Sequence, residues 1–81
     1  MSPYYQRWCA IKARCPDTLV LCPVGQFWDA YEEDARTIGA ALGLRPTMRE
    51  HVLTVSIPYR AIHTSIARLT GAGYRVAQVN D

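Results

Sequence analysis

The chain has 81 residues, of which 49% are hydrophobic and 20% charged, and its formal net charge at pH 7 is +2. These values indicate one small globular domain over residues 1–81 and exclude a disordered chain. The mild positive charge does not by itself imply a nucleic-acid partner. A domain of this size leaves little room for a deep active site, so we expect a binding protein and not an enzyme.

Three cysteines, Cys9, Cys15 and Cys22, stand in the first third of the chain. An odd number is typical of reduced thiols in the cytosol, and their spacing matches no common zinc pattern. The sequence lacks both a signal peptide and an apolar run of the ~20 residues that span a bilayer. We therefore expect a cytoplasmic protein without a membrane partner, a metal or a cofactor.

The first predicted elements are a helix over about residues 3–14 and a strand over residues 18–24. Ser2-Pro3 combines a good N-cap residue with a proline suited to the first helical position. The following β-rich run is typical of a buried strand, and Gly25 ends it.

The second predicted helix runs from Phe27 to Leu42. Its first turns are acidic, which the helix dipole favours, and Gly43 suits its C-terminal cap. One apolar stripe follows the helical spacing and consists of Tyr31, Ala35, Ile38 and Leu42.

The second half of the chain predicts a hairpin, a helix and a last strand. Residues 44–57 contain two strand-like pieces around Arg49-Glu50-His51. A helix begins at Ile57-Pro58-Tyr59 and ends at Gly71 and Gly73, and a strand follows over residues 74–79. The predicted order, α-β-α-β-β-α-β, gives an α/β domain of the α+β type, with a mixed sheet of about four strands flanked by three helices.

The sequence around Phe27 resembles a known motif. Val24–Tyr31 reads V-G-Q-F-W-D-A-Y and resembles M-G-D-F-Y-E-L-F of the bacterial mismatch-repair family MutS. Further resemblances follow in chain order: Ser2–Gln6 to T-P-M-M-x-Q, Asp34-Ala35 to D-D-A, Ile57–Ala61 to I-P-Y-H-A, and Val76–Val79 to V-A-I-C.

The resemblance covers essentially the whole chain and implies the N-terminal mismatch-recognition domain. It implies that Phe27 enters the minor groove and stacks on a mispaired base, while Asp29 hydrogen-bonds that base. It also implies roles for residues nearby: Val24 and Gln26 flank the wedge, and Thr47 and Arg49 contact phosphates.

Four positions depart from the motifs. Asp29 is one methylene shorter than the family's Glu, and Pro23 and Met48 replace basic residues. Glu50 places a negative charge where the family has Gly. Because affinity for DNA rises with the number of phosphates neutralised, we expect weak binding.

Three hypotheses remain open at this point. The first is a stand-alone module that binds mispaired or deformable duplex DNA. The second is a protein-interaction module that keeps the fold but has lost mismatch binding, with a homodimer or a repair protein as its partner. The third is a small metal-dependent nuclease built on the acidic residues Asp29, Glu32 and Asp34, whose simpler interpretation is a solvated helix start.

Overall fold

Three helices and five strands make up residues 2–80, the part of the chain that the computed structural model describes. The helices are α1 (Pro3–Arg14), α2 (Glu32–Leu42) and α3 (Ile62–Gly71), with a short 3-10 turn (Tyr59–Ala61) before α3. The strands are β1 (Leu19–Val24), β2 (Phe27–Tyr31), β3 (Thr47–Arg49), β4 (Val52–Pro58) and β5 (Val76–Gln78).

The strands form one mixed sheet in the order β3-β4-β2-β1-β5. β1 pairs with β5 in parallel, and the other neighbours are antiparallel. The predicted α+β class and the predicted hairpin between β3 and β4 are confirmed. The sheet has five strands rather than about four because residues 27–31 join it.

The prediction of a helix from Phe27 is wrong for its first five residues, since α2 begins at Glu32. Residues 27–31 form the central strand β2, with β1 on one side and β4 on the other. The predicted apolar stripe is nevertheless buried, from Tyr31 at the end of β2 to Leu42 at the end of α2. Gly43 caps α2 in the left-handed conformation, as expected.

Two tight turns connect the antiparallel strands. Between β1 and β2, Gly25 takes a φ of +60°, which glycine adopts without steric cost. Between β3 and β4, Glu50 and His51 have φ values of 48° and 68°. Two consecutive residues with positive φ are the signature of a type I′ hairpin, although glycine or asparagine is preferred there.

The core lies on both faces of the sheet. Helices α2 and α3 cover one face, where Trp28 and Ala30 of β2 are buried. Helix α1 covers part of the other face with Trp8, whose indole Nε1 donates to the Val20 carbonyl oxygen at 2.7 Å. The Trp8 ring also meets the Tyr31 ring edge-on, with the centroids 5.5 Å apart. We call this second side of the sheet the α1 face.

A largely buried ion pair connects α1, β1 and α2. Lys12 Nζ lies 2.9 Å from Asp34 Oδ1, and the Val20 amide donates to Asp34 Oδ2 at 3.0 Å. Lys12 Nζ also donates to the Thr18 carbonyl oxygen at 2.6 Å. The interpretation of Asp34 as a solvated helix-start residue is therefore wrong, because its carboxylate joins three elements. Removing one partner of such a pair costs about 3–5 kcal/mol.

Candidate nucleic-acid interface

The α1 face gathers most of the predicted site residues. Side chains alternate between the two faces along a strand, so Phe27 and Asp29 share a face, and residues opposite each other in the register share it too. Phe27 lies opposite Val24 on β1 and opposite Pro58 on β4. Tyr31 lies opposite Thr54 on β4, and Thr54 lies opposite Thr47 on β3, so these three residues share the α1 face. Arg49 lies two residues beyond Thr47 on β3 and therefore shares this face as well. Gln26 lies in the turn before β2.

Phe27, the only phenylalanine of the chain, is the first residue of β2, and the residue is 42% exposed. It follows the β1–β2 turn, and helix α1 does not bury it. A Cβ added at Gly25 would have no neighbour within 4 Å, so the space beside the turn is open. The turn therefore presents an aromatic ring to the outside at one end of the sheet.

Asp29 lies two residues beyond Phe27, but only 1% of its surface is exposed. Arg49 Nη1 approaches Asp29 Oδ2 at 3.4 Å, and Asp29 Oδ1 has no hydrogen-bond partner among residues 2–80. Burial raises the pKa of Asp29, and Ser56 and Arg49 lower it by less. With 1% of its surface exposed, Asp29 is closed to an outside ligand in this arrangement of the site.

A cavity of about 240 Å³ lies over this carboxylate, between the start of α1 and the β3–β4 hairpin. Its lining includes Asp29, Tyr31, Arg49 and Thr54. Burial raises the pKa of Tyr31 to about 12, with a contribution from the Asp29 charge, so its phenol stays protonated. The cavity lining therefore combines two carboxylates, those of Asp29 and Glu50, and the guanidinium of Arg49 with hydroxyl groups.

The β3–β4 hairpin carries the two predicted phosphate contacts, Thr47 and Arg49, and both are exposed. The Arg49 side chain is 54% exposed even while it pairs with Asp29. Met48 is 64% exposed and points to the opposite face. The negative charge of Glu50 stands in the turn directly beyond Arg49.

Two exposed residues at the Phe27 end of the sheet, Tyr59 and Arg60, were not among the site residues predicted from the sequence. Tyr59 is 47% exposed and stacks on Trp28 with the ring centroids 5.4 Å apart. Its amide donates to the Gln26 carbonyl oxygen at 3.0 Å. Arg60 follows and is exposed. The I-P-Y motif pointed to Tyr59 by resemblance, but no local pattern predicted that it would lie beside Phe27.

The acidic residues of the nuclease hypothesis do not converge. Asp34 pairs with Lys12, Asp29 pairs with Arg49, and Glu32 accepts a hydrogen bond from the Tyr5 hydroxyl at 3.1 Å. Residues 2–80 contain no group of three metal-ligating side chains that could hold an ion. In the same range, no helix has the length and apolarity needed to cross a membrane.

These features define a small α+β domain with an exposed aromatic residue in its first hairpin. Comparison with known proteins gives the family: the sequence profile described as MutS domain I matches residues 2–81. The chain is 35% identical to the DNA mismatch repair protein MutS of Thermotoga neapolitana, with 95% of the chain and 10% of that protein aligned. It is 34% identical to MutS of Methanothrix thermoacetophila, with 100% of the chain and 10% of that protein aligned. It is 36% identical to MutS of Methanosarcina mazei, with 95% of the chain and 9% of that protein aligned.

The chain therefore belongs to the MutS domain I family. It spans about a tenth of the length of the curated relatives that it matches. The resemblance noted in the sequence is confirmed over nearly the whole chain.

Proposed function

We propose that this domain contacts mispaired or deformable duplex DNA through the ring of Phe27, which acts as a wedge in the minor groove. The observation that carries the proposal is the 42% exposure of Phe27 at the β1–β2 turn. The relatives of this chain are named DNA mismatch repair proteins, which supports DNA as its ligand.

The wedge selects its target through the cost of opening the duplex. An apolar side chain inserted at a base step unstacks that step at a cost of a few kcal/mol. The cost is smallest where pairing is already defective, so discrimination comes from deformability and not from base sequence. Stacking of the ring on a base returns about 1–3 kcal/mol.

The hairpin residues Thr47 and Arg49 supply contacts to the DNA backbone in this proposal, because they are exposed on the same face as Phe27. Val24 and Gln26 flank the wedge across the turn. Asp29 contacts a base in this proposal only after Arg49 has moved from its carboxylate to a phosphate. Few cations take part, which supports weak and salt-sensitive binding.

The test is a titration of homoduplex DNA and G·T heteroduplex DNA at an ionic strength of tens of millimolar. We expect the wild-type chain to favour the heteroduplex and Phe27→Ala to lose about 5- to 150-fold in affinity for it, the equivalent of one stacked ring. Tyr74→Ala is a matched control, since Tyr74 is 41% exposed and precedes the strand paired with the opposite end of β1. Unchanged heteroduplex binding by Phe27→Ala would rule the proposal out.

A second candidate function is self-association or binding of another protein, with the fold kept and mismatch binding lost. The exposed apolar side chains Phe27, Met48 and Tyr59 favour it. Sedimentation equilibrium of wild type and Phe27→Ala separates the two. A stable dimer that the substitution dissociates supports self-association, whereas a monomer with salt-sensitive DNA binding supports the wedge.

A further inference from the structure

Arg60 stands beside the proposed wedge and has no hydrogen bond or ion pair within residues 2–80. Phe27 and Arg60 both line an open depression of about 730 Å³ at this end of the sheet, together with Gln26, Pro58, Tyr59 and Ala61. Arg60 is exposed. A guanidinium that no carboxylate neutralises is therefore held next to the exposed ring.

The surroundings of Arg60 fix its position. Arg60 belongs to the 3-10 turn that follows β4, and the Tyr59 amide ties this turn to the Gln26 carbonyl oxygen at 3.0 Å. The Tyr59 ring stacks on Trp28, which is buried against the core. Because the turn is tied both to the β1–β2 turn and to the core, the backbone of Arg60 and the wedge form one rigid unit.

Arg60 also differs electrostatically from the other candidate cation of the interface. The Arg49 guanidinium is engaged by Asp29, and Glu50 follows it in the chain. No acidic residue lies within residues 51–80, so Arg60 is the less compensated of the two. Arg is permanently charged, and its planar fork suits two oxygens of one phosphate.

We infer that Arg60 binds a backbone phosphate of the duplex next to the step that Phe27 opens, with the Tyr59–Trp28 stack holding the turn in place. This inference rests on the proposed function and adds a phosphate-binding residue to it. A phosphate contact carries no sequence information, so Arg60 strengthens binding to homoduplex and heteroduplex DNA equally. It compensates for the positions at which Pro23 and Met48 replace basic residues of the motif.

The experiment measures the affinity for both duplexes as a function of salt concentration for wild type, Arg60→Ala and Arg75→Ala. Arg75 is an exposed matched control, because its carbonyl oxygen accepts from Leu19 at the end of β1 remote from Phe27. We expect Arg60→Ala to lower the slope of log affinity against log salt by about 0.9 for both duplexes, and Arg75→Ala to leave it unchanged. Arg60→Lys is expected to keep the slope, since it keeps the charge.

The outcomes separate this inference from the proposed function. If heteroduplex binding depends on Phe27 but Arg60→Ala keeps the wild-type slope, only the Arg60 inference falls. An equal fall of the slope in Arg60→Ala and Arg75→Ala also overturns it, because the effect is then one of net charge. If the wild-type chain does not bind DNA at all, both are overturned. Thermal unfolding of each variant checks that the fold is retained.

Discussion

The carboxylate of Asp29 lies at the centre of the α1 face, between the exposed ring of Phe27 and the cavity below the hairpin. The residue is buried, its Oδ1 has no hydrogen-bond partner among the described residues, and its Oδ2 has a long contact with Arg49. Ser56 and Arg49 lower its pKa by less than burial raises it. A buried carboxylate with so few donors is costly to keep ionised. The ionised form of Asp29 therefore lowers the stability of the fold.

The first prediction concerns the pH dependence of stability. The folded-state pKa of Asp29 is raised above its ordinary value of 3.8, so the folded chain holds this proton more tightly than the unfolded chain. The contribution of Asp29 to the free energy of unfolding therefore falls as pH rises from about 3.8 through the raised pKa. We expect Asp29→Asn to remove this fall and to gain stability relative to wild type between pH 4 and pH 7.

Urea unfolding of both chains at several pH values measures this difference. Asp34→Asn is the comparison variant, since Asp34 has Lys12 and the Val20 amide as close partners and should lose stability at neutral pH. A stability difference between wild type and Asp29→Asn that stays constant over this pH range would contradict the prediction.

At the residue scale, the sequence pointed to part of the candidate interface, whose contact with DNA stays a prediction. The resemblance led to Phe27, and no part of the core buries this residue. It gave no sign that Asp29 would be covered, because the contact with Arg49 joins residues 20 positions apart on two different strands. Tyr59 and Arg60 were missed for the same reason, since only the sheet register brings them to the first hairpin.

At the scale of elements, β2 shows why the second helix was predicted five residues too long. Tyr31, the last residue of β2, begins the predicted helical stripe, and acidic residues follow at Glu32–Asp34, where a helix start is favoured. Aromatic residues also favour strands, and residues 27–31 pair with β4 while residues 27–29 also pair with β1. Long-range pairing decided the outcome, and the helix starts where the pairing with β4 ends.

Helix α2 supplies the second prediction, at Gly39. A Cβ at this position would lie 2.7 Å from the Leu44 carbonyl oxygen and 2.9 Å from the Pro46 ring. Ala favours a helix over Gly by about 0.5–1 kcal/mol, but the clash with backbone costs about 1–3 kcal/mol. We expect Gly39→Ala to lower the free energy of unfolding by about 1–2 kcal/mol, net of these two terms.

Gly71 is the matched control, because it ends α3 and a Cβ there would meet nothing within 4 Å. Chemical unfolding should find Gly71→Ala as stable as wild type or slightly more stable. If Gly39→Ala were as well tolerated as Gly71→Ala, the close approach of residues 44–46 to α2 would be disproved.

At the scale of the whole molecule, the two faces of the sheet differ in how completely the helices cover them. Helices α2 and α3 bury one face and supply most of the core. Helix α1 covers only part of the other, around Trp8 and Tyr31, and leaves the hairpin end open. The amphipathic patterns in the sequence predicted the helices and the class of fold. They could not predict which part of a face stays open, because this depends on how far one short helix extends across five strands.

Amide chemical-shift mapping shows whether the Phe27 end of the sheet contacts DNA. A G·T heteroduplex is added to the isotope-labelled chain, and the amide signals are followed residue by residue. We predict shifts confined to residues 24–29, 47–51 and 58–61, at the β1–β2 turn, the β3–β4 hairpin and the turn that carries Arg60. Shifts at the outer surfaces of α2 and α3, with none at Gln26–Trp28, would contradict the account.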